Sequence, residues 1–356
     1  MVCFHHGLFN LKAKTLNKFT WRLPLVLLLC CTALSAIKAQ DIHYSQVGNS
    51  PMNMNPGLTG VYKGDYRFLG NYRYQWQTVP VDYLQFTGQF DTRISNKNGF
   101  QSPFALGLLY NYDRAGDSRI RMAHVALQGS YTRAMAKTHF VTLGTSVGLT
   151  QRAFSLGQLH FGDQYDGDSN TIPSAEVFDN NNLNYVDLSA GLNWHIKSTS
   201  FLSRSHANIG VGLFHINNPS KAFRDPLGAD LYRRLSFYGR GIVQLSSNFD
   251  LQLHGSGQVQ GPHREAVFGA GGIIHLNTVM TKETAIQLAV SHRLNEAWIP
   301  QAGILHKGWQ FYLSYDINVS KFQLATIKNG GPEMTLIYII SKVGPMEHCP
   351  MCPTYL

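Results

Sequence analysis

Charge is what this sequence has least of. Lys, Arg, Asp and Glu supply 14% of its 356 residues, against roughly 25% in an ordinary soluble domain. A soluble protein hydrates its exterior with those four side chains. Here the polar residues are Gly, Ser, Thr, Asn, Gln and His, a palette that suits a wet interior better than a solvated outside. Long apolar runs are also missing. Downstream of Leu34 none approaches 18 residues, which excludes transmembrane helices. Cysteine is scarce: Cys3, Cys30 and Cys31 lie near the amino end, and only Cys349 and Cys352 remain beyond them. One local pair cannot be the framework of a chain this long. Clustered positive charge is absent too. The formal net charge is +9, but Lys12, Lys14, Lys18, Arg22 and Lys38 fall in the first 39 residues, where no acid occurs. Setting those five of the 30 basic residues aside leaves 25 against 21 acidic ones. No basic patch remains of the kind that nucleic-acid binding requires.

What is there begins with an export signal. The basic stretch through Arg22 precedes an apolar run, Leu23 to Leu34, too short to span a bilayer as a helix. Ser35, Ala36 and Ala39 follow, and Ala39–Gln40 is the preferred cleavage point, with Ile37 where a small residue is favoured. A lipoprotein alternative at Cys30 or Cys31 is weakened by the residues that precede each cysteine.

Period-2 alternation then recurs along the chain. From Tyr66 to Trp76 one face reads Tyr66, Phe68, Gly70, Tyr72, Tyr74, Trp76 and the other Arg67, Leu69, Asn71, Arg73, Gln75. The pattern returns at Tyr185–Ile196, with Leu188 and Leu192 against Asp187 and Asn193. It returns again at Trp309–Ser320, with Phe311, Leu313 and Tyr315 against Ser314 and Asp316. Similar segments at 83–94, 104–113, 120–132, 139–152, 206–216, 235–246, 249–260, 265–276, 284–293, 298–306 and 333–341 bring the total to fourteen, an even number. Their lengths exceed those of soluble strands and suit tilted membrane strands of about 9–11 residues. With a periplasmic start, every even connection is brief, and the two longest, 154–184 and 217–234, fall on the opposite side, as outer-membrane barrels require. Charge decides which face is lipid. The polar faces are too poor in ions for a solvated exterior, so the apolar faces point outward. The expected fold is all-β, a transmembrane antiparallel up-and-down barrel of about fourteen strands. Closure satisfies every edge in hydrocarbon.

The mature start, Gln40-Asp41-Ile42-His43-Tyr44-Ser45-Gln46, is followed by Pro51, Asn55-Pro56-Gly57, Gly60 and Tyr72-Arg73-Tyr74-Gln75-Trp76. It resembles the PorP/SprF family of type IX secretion membrane proteins, found in gliding and protein-secreting Bacteroidota. Phe161-Gly162-Asp163-Gln164, Tyr315-Asp316-Ile317, Gly331-Pro332-Glu333-Met334 and the Cys-Pro ending agree. The resemblance implies an accessory barrel of the outer membrane that assists export or surface anchoring of large clients such as adhesins. Its implied partners are the envelope secretion machinery, a large secreted surface protein and membrane lipid. The chain departs at Gly330-Gly331-Pro332-Glu333, where many relatives read Gly-Ser-His-Glu, and in a second tail cysteine, Cys352.

The expected organisation is a signal peptide over 1–39, a periplasmic leader or plug over 40–63, the barrel over 64–341 and a periplasmic tail over 342–356. The 40–63 segment is too rich in Pro, Asn and Gly for a long strand. It reads either as a disordered leader or as a plug or docking strip, and the resemblance favours the second. Asn55, Pro56, Gly57, Cys349 and Cys352 are the partner-binding candidates. The Cys349–Cys352 pair lacks the βαβ context of a redox motif.

Candidate chemistry is thin. Asp163, Asp166, Asp168 and Asn170 are a weak Ca²⁺ candidate, because no EF-hand pattern is completed. His254-Gly255-Ser256-Gly257 superficially suggests a hydrolase, but a nucleophile elbow needs a strand-to-helix turn, and these residues lie within a strand. His124, His195, His254 and His275 fall on inward faces without a joint metal spacing. Neither cofactor nor catalysis is implied. Two rival functions stay open, a small-solute channel and an outer-membrane hydrolase.

Overall fold

A computed structural model describes residues 41–75, 83–95, 101–115, 120–155, 164, 181–199, 204–220, 230–277, 283–320 and 329–341. The signal at 1–39, the acidic residues Asp163, Asp166, Asp168 and Asn170, and Cys349 and Cys352 lie outside them. Short helical turns at α1 (Pro51–Met54) and Pro56–Leu58 precede fourteen strands: β1 (Tyr66–Gln75), β2 (Tyr83–Ser95), β3 (Gln101–Ala115), β4 (Ile120–Ala134), β5 (His139–Ala153), β6 (Asn182–Lys197), β7 (His206–Phe214), β8 (Arg234–Gln244), β9 (Phe249–Gln260), β10 (His263–Asn277), β11 (Thr284–Arg293), β12 (Ala297–His306), β13 (Trp309–Asn318) and β14 (Asn329–Ile340).

Each strand pairs antiparallel with the next, and β14 returns to β1, closing the barrel. The seam runs in register from Tyr66↔Ile340 to Arg73↔Glu333. The expected fourteen-strand barrel is therefore the observed one. Strand ends shift where composition misled. β14 starts at Asn329, because Gly331 and Pro332 pair with Asp316 and Tyr315 instead of forming a turn. Between Trp298 and Gln301 the pairing of β12 with β13 is interrupted, where Pro300 has no N–H to offer.

The faces sort as the alternation requires. Phe68, Tyr72, Leu127, Leu188, Leu192, Phe311 and Leu313 are exposed outward, whereas Asn71, Arg73, Thr87, Asp187, Asn193, Ser314 and Asp316 are buried inward. An apolar outside over a polar inside is the reverse of a soluble barrel and the mark of a lipid-facing wall. The short connections, such as those from Ala134 to His139 and from His306 to Trp309, lie at one end. The connections from Ala153 to Asn182 and from Phe214 to Arg234 lie at the other.

Candidate functional site: a threaded lumen

Burial inside the barrel is too deep for the wall side chains alone. Arg73, Asn71, Thr87, Asp91, Asn193, Ser314 and Glu333 are all nearly inaccessible. What covers them is the chain's own segment Ile42–Tyr62, which lies within the lumen and is held at three levels.

At the long-loop end the anchor is ionic. Glu333 on β14 accepts the backbone N–H of Ser45 at 2.7 Å and of Gln46 at 3.0 Å. Asp316 on β13 accepts the Ser45 hydroxyl at 2.8 Å. Arg73 on β1 donates to Asp316 at 2.6 Å and to the His43 carbonyl at 2.6 Å, and its Nε stands 3.7 Å from Glu333. Arg293, at the end of β11, donates to Asp316 at 3.1 Å and to Ser45 Oγ at 2.6 Å. His43 lies 3.6 Å from Glu265 near the start of β10. Two guanidinium and two carboxylate groups thus face one another in a site that excludes water. Taking any of them out of water is expensive, so the arrangement persists only because each charge finds a partner of opposite sign. Tyr44 adds a hydroxyl donated to Thr87 at 2.7 Å.

Between the two ionic anchors the segment is held by packing and by hydrogen bonds, some of these contacts being to wall residues as high as Ala297 and Arg234. Val47 packs on Val267, Ala297 and Ile299, and Met52 on Leu109 and Ala126. Asn71 donates to the Asn49 carbonyl at 3.0 Å, and Arg234 to that of Asn53 at 3.0 Å. Asn55, Pro56 and Gly57 pass so close to the wall that it must be bare there. A Cβ on Gly191 would overlap Asn55 Oδ1, and one on Gly144 would overlap the Pro56 carbonyl. Glycine is required at both positions by this approach. Asn55 Nδ2 donates to the Leu192 carbonyl at 2.8 Å and to the Tyr238 hydroxyl at 3.3 Å, while its own Oδ1 accepts the N–H of Gly57 at 2.7 Å.

At the short-turn end the anchor is ionic again. Arg67 grips Asp91 through two bonds of 2.8 and 2.7 Å, and Asp91 also accepts the N–H of Gly60 at 2.7 Å. Arg93 donates to the carbonyls of Gly60 and Tyr62. The Tyr62 ring lies under Arg67, 4.5 Å from its guanidinium carbon.

The candidates named from sequence distribute unevenly over this site. Asn55, Pro56 and Gly57 lie inside the lumen against β5, β6 and β8. His254 bonds Ser291 Oγ at 2.8 Å rather than Ser256, and both are buried. His195 bonds Asn208 at 2.9 Å, and His275 bonds Asp250 at 2.8 Å. The convergence of Ser45, Gln46, Arg73, Asp316 and Glu333 was not foreseen. Its pieces sit in motifs separated by up to 288 positions. The available signal was the presence of inward ions of both signs in a chain with few ions.

The arrangement can hold a peptide segment through both its main chain and its side chains. Comparison with known proteins identifies a family. The profile of a family described as "Type IX secretion system membrane protein PorP/SprF" matches residues 36–338. No curated protein matches the chain. Among solved structures it is similar to the CymD monoaromatic hydrocarbon channel, at 8% identity over 84% of this chain and 94% of that one, with a TM-score of 0.46. It is similar to a Pseudomonas aeruginosa FadL homologue at 11% identity over 83% and 95%, with a TM-score of 0.42. BamA from Haemophilus ducreyi lacking POTRA domains 1-3 matches at 10% identity over 78% and 70%, with a TM-score of 0.36. Likenesses this distant speak to neither substrate nor partner.

Proposed function

The chain belongs to the PorP/SprF family of type IX secretion system membrane proteins, and from that premise we propose that it is a non-enzymatic accessory barrel that assists export or surface anchoring of large client proteins such as adhesins. Secretion-system membership and an outer-membrane place follow from family and fold together. The observation that carries the finer reading is the filled lumen. Segment Ile42–Tyr62 is bonded to the wall from one mouth to the other, which disfavours a small-solute channel. A barrel without an exposed catalytic group acts by binding, gating or anchoring. Its recognition surfaces are then the long connections, 154–184 and 217–234, because loops on a rigid scaffold are where recognition sits. In this reading the first 39 residues are removed as a signal, and the long connections face outward. The short-turn face and the tail that carries Cys349 and Cys352 meet the secretion machinery.

Shortening both long connections while leaving the strands intact tests this. Surface proteomics of that strain is expected to lose one or a few large surface proteins and to keep small secreted substrates. A full surface complement with the shortened barrel correctly assembled overturns the accessory reading.

A further inference from the structure

The threaded segment has a direction, and the wall residues that hold it give that direction. Height in the barrel is read from position along each strand. Residues near Gln75, Asn182, Arg234, His263, Arg293, Asn318 and Asn329 sit at the long-loop end, where odd-numbered strands finish and even-numbered ones begin. His43 and Ser45 bond Arg73, Arg293, Asp316 and Glu333, and His43 also faces Glu265. Every one of these lies within five residues of that end of its strand. Asn49 and Ser50 bond Asn71 and Gln89 in mid-strand. Gly60 and Tyr62 bond Asp91 and Arg93, close to the opposite end of β2, and Tyr62 reaches back to the Asp65 carbonyl just before β1. The two ends of the segment therefore lie at opposite mouths, with a local return at Asn53, which bonds Thr87 and Arg234 of the upper wall. The segment is a strap that descends the lumen and then turns into β1, which climbs again.

Length agrees. A ten-residue strand rising about 3.3 Å per residue and tilted by roughly 40° spans about 25 Å of barrel height. Twenty residues with one helical turn cover that distance without a hairpin of their own. A leader that entered and left by the short-turn face would have to double back. Ile42 lies at the long-loop end: its carbonyl accepts from Arg234, the first residue of β8, whose other nitrogen reaches the Asn53 carbonyl.

We infer that the strap opens, at its amino-terminal end Ile42, on the mouth that carries the long connections. The amino-terminal end then belongs to the surface that meets the client, and only the short turns and the carboxyl tail are left for the machinery on the other side. The inference reassigns a segment that sequence alone placed in the periplasm. It rests on the orientation and signal removal proposed above.

The test uses the full-length protein in its native host, with one epitope inserted per strain: between Asp41 and Ile42, within 221–229, or at Ser247. Assembly is checked by heat-modifiable migration. Should the insertion ahead of Ile42 prevent assembly, Asp41→Cys in a Cys349→Ser/Cys352→Ser background, labelled by a membrane-impermeant maleimide, replaces it. The label ahead of Ile42 is expected to be reached on intact cells together with the 221–229 epitope. The Ser247 epitope is expected to appear only after the outer membrane is opened. Any result in which the label ahead of Ile42 parts company with the 221–229 epitope overturns the inference. If those two stay together but Ser247 is the one exposed on intact cells, the outward exit of the long loops fails and the direction of the strap stands.

Discussion

Arg73→Met is the substitution that separates a clasped strap from a merely enclosed one. Arg73 is fully buried, and its guanidinium makes two short bonds, 2.6 Å to Asp316 and 2.6 Å to the His43 carbonyl. Methionine keeps much of the volume and removes the charge. Asp316 and Glu333 are then left to share Arg293. Hydrogen bonds to charged groups contribute about 1.5–3 kcal/mol each, and stripping one partner from a buried pair costs about 3–5 kcal/mol. The two figures agree. The barrel keeps its fourteen-strand ladder, so the cost falls on holding the strap in place. Each 1.4 kcal/mol is a factor of ten, so the strap should open about two to three powers of ten more often. Hydrogen exchange reads this directly, because the Ser45 and Gln46 amides donate to Glu333. In lipid-reconstituted protein, peptides covering 42–50 should exchange faster by that factor, while those from β5 and β6 stay protected. Lys137→Met, in an exposed turn, should change neither. Unchanged protection of 42–50 in the Arg73→Met protein would refute the reasoning.

Further expectations follow from the same geometry. Gly191→Ala and Gly144→Ala each place a methyl into the strap at Asn55 or Pro56, and overpacking of this kind costs about 1–3 kcal/mol or more. Planar-bilayer recordings should detect conductance in both variants, with little in the parent or in Gly239→Ala, whose added Cβ meets open space. Leu127→Arg and Leu188→Arg, both outward, should each lose about 2–4 kcal/mol near the bilayer midplane, seen as less assembled barrel in membrane fractions. Asp91→Asn should free the lower end of the strap, because Asp91 holds both Arg67 and the Gly60 amide. Exchange at 58–63 should rise more than at 42–47, and the reverse ranking counts against two separate anchors.

Most of the wall was legible in the sequence, and most of what fills it was not. Alternation in β6 and β13 separates Leu188 from Asp187 and Leu313 from Ser314 without ambiguity, because hydrocarbon and water sort side chains on a two-residue period. It broke down where the pattern carries less information. β3 reaches from Gln101 to Ala115, beyond its alternating stretch, since apolar residues occupy both of its faces. The start of β14 was hidden by Gly-Gly-Pro, which reads as a turn and pairs as a strand. The lumen is a different problem. Periodicity says that Arg73, Asp316 and Glu333 point inward, but not what they meet. Ser45 and Glu333 are 288 residues apart, and only the closed ladder sets their relative height. The Pro, Asn and Gly of 51–60 mark an irregular segment, yet nothing local to it says that Gly144 and Gly191 are its counterparts.

The seam between β1 and β14 gives the strap a part in the order of assembly. Tyr66 meets Ile340 and Arg73 meets Glu333, so the ends of the barrel join only when the whole chain is present. Contacts of such long range form late, because the entropy of closing the loop comes before any reward. The upper anchor draws on β1, β11, β13 and β14 together. A chain still lacking its last two strands has Arg67 and Asp91 to hold the strap below and Thr87, Glu265, Arg73 and Arg293 to receive it above, without Asp316 and Glu333. Arg73, whose carboxylate partners are both on those strands, then faces an open lumen and an unpaired strand edge. Docking of β13 and β14 brings Asp316 and Glu333 to Arg73, seals the edge and fixes Ser45 in one event. Ring closure is thereby coupled to the locking of the strap, and a barrel that stalls one hairpin short is left both unpaired and unlatched.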